Sequence, residues 1–274
     1  MLSVLLPILT FPDATPAGSI QRAIDLVATL KGQLTAEAAE VDIRDVANVM
    51  ADALIDVTGM IASAEATSAA RADELLAAAV SIAGRMNVPV TTRHRRMRPE
   101  ALPEGFAIAG RTHDCTIIAG TGEGHDELAE AVLFGSGGPT ILMPDSEAAV
   151  HLEVVAIAWD GSAAAARAVR DAMPILHKAK KIVVLAVTGD KPLNGASNDA
   201  LADYLHLKGL RIEFAVVEKG PQSIGECLQA AAVNAGSGLM VMGGYGHNRI
   251  REIVLGGATK HSIAKRRVAV LMSH

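Results

Sequence analysis

Aromatic residues are scarce in this chain: Phe, Trp and Tyr together make up 3% of its 274 residues. A core without rings must be aliphatic, and the 50% hydrophobic content is carried by Ala, Val, Leu and Ile. That composition suits parallel strands buried on both faces, with helices packed close against them. Cysteine is almost absent: Cys115 and Cys227 stand far apart and in no metal spacing, which excludes a disulfide framework and points to a reducing compartment. Positive charge is not in excess, since the net charge is −5, and a nucleic-acid-binding surface calls for the opposite sign. No apolar run is long enough to span a bilayer. The start, Met1 to Leu9, is too short and has no basic lead-in, so it reads as a first strand and not as a signal peptide. The expectation is a soluble, cytoplasmic protein.

Catalytic signatures are missing too. There is no Gly-x-Ser-x-Gly elbow, no readable Cys–His pairing and no histidine spacing that suits a metal. We expect no enzyme.

What is present is alternation. In the second half Val154–Ala158, Lys181–Val187, Arg211–Val217, Leu239–Met242 and Val268–Met272 read as strands, separated by helices from Ala163 to about Lys178, from Ser197 to about Lys208, from Ser223 to about Ala235, and from Ala258 to about Arg267. Glu226, three residues after Ser223, signals a capping box. Strands alternating with helices predict a parallel sheet with right-handed crossovers, covered on both faces. Ligands of such sheets sit beyond the carboxyl ends of the strands, where the strand order reverses. Gly243 and Gly246 stand where a strand ends, and Gly256 and Gly257 where a helix begins. Glycine admits close backbone approach, and a helix N-terminus adds unpaired N–H groups, so the stretch is a candidate phosphate seat. The same glycines also serve as plain turns joining strand to helix.

The spacing Gly243, two residues, Gly246, nine residues, Gly256 resembles the nucleotide-binding signature of the universal stress protein family. The resemblance covers the second half, from about Val154 to His274, and the first half in outline. It implies two tandem flavodoxin-like or Rossmann-like α/β domains, residues 1–146 and 150–274, each a mostly five-stranded parallel sheet with helices on both faces. It also implies that the second domain binds ATP or another adenine nucleotide, with Mg²⁺ accompanying the phosphates, in a stress response. The glycine loop would hold phosphates and ribose, Asp160 would face the adenine end, and Ala158 and Val187 would line the base. His247 and Arg249 lie between the glycine pairs and are candidates for phosphate oxygens. The family usually has Ser or Thr after the last glycine; here it is Gly257, which keeps the N–H and loses the hydroxyl, with Thr259 the nearest hydroxyl. That departure favours the other reading, a scaffold that binds no nucleotide and acts through protein partners. For Asp160 too a second reading stands beside the first: a turn residue, with Ser162 capping the next helix.

The halves read as a tandem duplication, joined near Pro144–Val150. The last strands, Thr140–Met143 and Val268–Met272, are expected to meet, as domains of this family commonly pair through them; a further homo-oligomer is compatible. The first half is looser. Asp42–Met86 reads as an alanine-rich helical hairpin broken around Gly59, and after Gly135-Ser136 the stretch Gly137-Gly-Pro139 leads straight into the closing strand, without the helix that the second half has there. With no such helix, and with Asp13 flanked by Pro12 and Pro16, we expect no nucleotide site of the family's kind in the first half. The run Arg93-His-Arg-Arg-Met-Arg98 reads as a solvated strand end.

Overall fold

The computed structural model describes residues 1–44, 56–144, 149–188, 195–218, 220–244 and 257–274. The chain divides into two compact units, Met1–Ser136 and Gly137–His274. Both are α/β units of the Rossmann-like kind.

In the first unit the elements run β1 (Ser3–Ile8), α1 (Ala17–Thr29), β2 (Gln33–Val41), α2 (Val57–Met86), β3 (Val90–Met97), α3 (Leu102–Gly110), β4 (Cys115–Ile118) and α4 (Glu123–Gly135). The strands lie parallel in the order β3-β2-β1-β4. The apolar start of the chain is the central strand β1, with Val4, Leu5, Leu6 and Ile8 sealed from solvent. Beside it is β2, a strand to which the alanine-rich sequence assigns nothing. Alanine favours helices, but Ala36, Ala38 and Ala39 are wholly enclosed, and burial on both faces of a sheet overrides the local preference.

Two expectations for this half need correction. Gly59 does not break a helix: it stands in the first turn of α2, where its N–H donates to Asp56 Oδ1 at 2.8 Å. The upstream part of the expected hairpin, 45–55, lies outside the described residues. A helix, α4, does follow β4, entered through Gly122 at φ +101°. Only glycine takes that backbone readily, and the turn hides the helix start from a reading based on strand and glycine spacing.

The run Arg93 to Arg98 is largely the edge strand β3 itself. Its side chains meet carboxylates alongside: His94 Nδ1 lies 2.6 Å from Glu40, Arg96 Nη2 3.0 Å from Asp42, and Arg95 bonds Glu37. Glu37 is fully buried within the sheet, so Arg95 neutralises a charge that water does not reach.

In the second unit the order of elements is β5 (Thr140–Leu142), β6 (Val154–Ala158), α5 (Ala163–Asp171), β7 (Lys181–Thr188), α6 (Gly195–Leu207), β8 (Ile212–Glu218), α7 (Ile224–Asn234), β9 (Leu239–Gly243), α8 (Gly257–Ala264) and β10 (Ala269–Ser273), with a short turn of helix at Met173–Leu176 after α5. The sheet order is β5-β10-β9-β6-β7-β8, parallel except for β5. The expected meeting of the two closing strands is present: β5 pairs antiparallel with β10, Ile141 opposite Leu271. The closing strand of the first half thus packs with the second unit. The segment joining it to β6 falls partly on 145–148, outside the described residues.

From β6 the chain steps outward to β7 and β8, then returns past β6 to β9 and β10. Right-handed crossovers therefore place α5 and α6 on one face and α7 and α8 on the other. Ser223 caps α7 as expected: its Oγ accepts from Glu226 N–H, and the Glu226 carboxylate accepts from Ser223 N–H at 2.9 Å. The carboxylate also accepts from Ser223 Oγ–H at 3.0 Å, and the two bonds that Ser223 donates to it hold the Glu226 carboxyl below its usual range.

Candidate functional site

The strand order of the second unit reverses between β6 and β9, and their carboxyl ends lie side by side, Ala158 opposite Met242. On the far side of β6, Ala158 stands opposite Leu185 of β7. Three strand ends thus open on one rim. The sheet brings together here four of the residues singled out from the sequence: Ala158, Asp160, Val187 and Gly243. Ala158 is buried, Val187 and Gly243 are half-buried, and Asp160 is exposed just past the end of β6.

The loop after β6 is built by its own hydrogen bonds. Trp159 N–H donates to Leu185 O at 3.0 Å, tying the end of β6 to β7. Asp160 Oδ1 accepts from Ser162 N–H at 2.9 Å, and Ser162 Oγ accepts from Ala165 N–H at 3.1 Å, capping α5. Gly161 between them has φ +74°, a turn conformation that a side chain would strain. One carboxylate oxygen of Asp160 is therefore engaged in shaping the entry to α5.

At Gly243 the backbone of α5 reaches the end of β9. A Cβ on Gly243 would lie 2.5 Å from Ala165 N and 2.7 Å from the carbonyl carbon of Ala164, distances that no side chain tolerates. The glycine is required by this crossing, and the crossing sets the first turn of α5 directly against the strand end. The next residue is anchored from β10: Gly244 N–H donates to Ser273 O at 2.8 Å.

The helix that follows the glycine loop, α8, begins at Gly257. Gly257 is exposed, and no atom lies within 4 Å of where its Cβ would be, so a side chain would fit there. Thr259, two residues on, is buried. Gly246, His247, Arg249 and Gly256 lie outside the described residues.

Sequence reasoning passed over Trp159. Its Nε1–H donates to Ser197 Oγ at 3.2 Å, and together with Arg170, Ser197, Leu201 and Tyr204 it lines a cleft of about 190 Å³ between α5 and α6. The available signal was that the chain's single tryptophan stands immediately before Asp160. Neither cysteine belongs to the rim: both are buried and free, and burial pushes the Cys115 thiol up to about 12, with Asp114 adding to the effect. Among the described residues no cluster of His, Cys, Asp or Glu is arranged to hold a metal ion, and no helix is long and apolar enough to cross a membrane.

At the corresponding strand end of the first unit stands a histidine. His125, buried in the first turn of α4, lies over Gly120, where a Cβ would come within 2.1 Å of the ring, and its Nε2 is 3.0 Å from Thr15 Oγ1. Glu123 and Asp126 in the first turn of α4 add negative charge at the end of the helix that would otherwise attract an anion.

No protein-family model matches the chain, and no curated protein does. Solved structures match it along its length. A universal stress protein from Archaeoglobus fulgidus superposes with a TM-score of 0.72 at 14% identity, over 98% of this chain and 97% of that one. A protein from Pseudomonas aeruginosa assigned to the universal stress proteins gives 0.59 at 14%, over 100% and 93%. A protein of unknown function from the same species gives 0.58 at 13%, over 100% and 92%. The chain has the fold of universal stress protein structures, as the glycine spacing implied.

Proposed function

We propose that the second unit binds an adenine nucleotide, with Mg²⁺ on its phosphates, at the carboxyl ends of β6 and β9, and that the bound nucleotide gates a regulatory role in a stress response. The observation that carries this reading is the crossing at Gly243. A strand end without a side chain meets the first turn of a helix at the reversal of strand order, which is where open α/β sheets accept phosphorylated ligands. Ala158 and Val187 supply apolar surface for a base at the same rim, and Asp160 is exposed beside them. The fold shared with universal stress protein structures supports the assignment.

In this reading, backbone N–H groups of the loop through Gly246 and of the segment at Gly256 and Gly257 hold the phosphates. Arg249 or His247 contacts phosphate oxygens, and Thr259 stands in the first turn of the following helix. The protein binds and does not turn over its ligand. Nucleotide titration of the stripped protein tests the proposal, with Gly246→Val expected to abolish binding.

A second reading rests on Asp160 and Gly257. The aspartate has one oxygen committed to Ser162, and Gly257 offers no hydroxyl. On that reading the rim is structural, and the cytoplasmic role is that of a scaffold working through protein contacts. Absence of nucleotide binding would favour it.

A further inference from the structure

We propose that the open edge strand β8 is a self-association surface, through which two copies of this chain pair their second units edge to edge. The inference is independent of nucleotide binding. Within the second unit β10 has neighbours on both sides, β9 and β5, whereas β8 ends the sheet, with β7 its one neighbouring strand among the described residues. An uncovered strand edge presents unpaired N–H and C=O groups, and proteins ordinarily blunt it with charge. The edge strand of the first unit, β3, does so: its outward residues include Arg93, His94 and Arg96. By contrast, β8 exposes Phe214 at 44% and Val216 at 63%, two large apolar side chains on one face of the strand.

The partner that fits is β8 of a second copy. Two identical strands related by a two-fold axis normal to the sheet run antiparallel, and each residue faces one whose number has the same parity. With the axis at Phe214, the ring meets its own copy, and Ile212 lies opposite Val216 on both sides of it. All the apolar residues of that face are then paired, in aromatic and β-branched cross-strand contacts of the kind that stabilise sheets. On the other face Glu213 lies opposite Ala215, so that no like charges confront each other and Glu213 keeps its partner Lys181, 2.8 Å away. A different protein would have to bring this complement; a second copy brings it necessarily.

Light scattering coupled to size exclusion on the full chain tests the proposal. The expected mass is twice the monomer's 28.4 kDa. Val216→Lys alters an exposed side chain, so its circular dichroism is expected to be unchanged, while self-association weakens by about tenfold or more. The register is read separately. Chains carrying Glu213→Cys mixed with chains carrying Ala215→Cys form a disulfide-linked pair on oxidation, and neither variant does so alone; the native cysteines are buried and take no part. A monomeric mass at every concentration would overturn the proposal. So would a dimer that Val216→Lys leaves intact and that yields no mixed disulfide.

Discussion

Gly243 and Ala165 lie in backbone contact: a Cβ on the glycine would sit 2.5 Å from the Ala165 nitrogen. The end of β9 and the first turn of α5 are therefore locked together, and this contact gives the candidate site its shape. Gly243→Ala is expected to force α5 away from the strand and to cost about 1–3 kcal/mol of stability, the usual range for overpacking. Urea denaturation checks it. An unchanged midpoint would mean that the crossing is looser than described.

Glu37 and Arg95 form an ion pair whose carboxylate is buried and whose guanidinium is about one-third exposed. Arg95→Ala leaves a charge stranded inside the sheet and should cost about 3–5 kcal/mol. The double variant Glu37→Leu with Arg95→Met removes both charges and should recover most of that loss, since two apolar groups replace a pair that must be desolvated. Denaturation of the three proteins side by side decides it. A double variant no more stable than Arg95→Ala would contradict the account.

The capping box of α7 makes stability depend on pH. The folded Glu226 carboxyl titrates below its usual value of 4.5 because Ser223 donates to it. Its stabilisation is therefore complete above that value and fades as the pH falls through the lower folded one. Ser223→Ala should lower the denaturation midpoint at pH 7, and the gap to the parent protein should narrow as the medium is acidified below 4.5. A gap independent of pH would show that the carboxylate is not engaged.

Much of the second unit was legible in the sequence because its strands are short apolar runs bounded by glycine and its helices are marked by caps. Ser223 with Glu226, and Ser162 after Asp-Gly, are local chemistry, and local chemistry can be read without knowing the fold. The strand β2 was not legible. Gln33–Val41 is built on alanine, and only its place between β1 and β3 makes it a strand. Helix α4 was hidden for a similar reason: Gly122, at positive φ, turns the chain into a helix whose first residues are charged, with no Ser, Thr or Asn cap to announce it. At the candidate site the spacing of Gly243 pointed to a close approach. What approaches, the backbone of α5, lies about eighty residues earlier in the chain and is set by strand order alone.

Gly257 bears on affinity more than on fold. Because its Cβ direction is open, Gly257→Ser should leave stability unchanged and restore the hydroxyl that the family resemblance expects there. One neutral hydrogen bond corresponds to roughly two- to tenfold tighter nucleotide binding. Titrating parent and variant with the same nucleotide reads the ratio directly; equal affinities would place the phosphates away from this helix.

Binding of an adenine nucleotide by the second unit is read by isothermal titration of the nucleotide-stripped chain with ATP and Mg²⁺. The expected result is saturable binding of one nucleotide per chain, lost in Gly246→Val and strengthened in Gly257→Ser. No heat and no thermal shift at saturating ATP would contradict it and leave the rim of β6 and β9 as a purely structural junction.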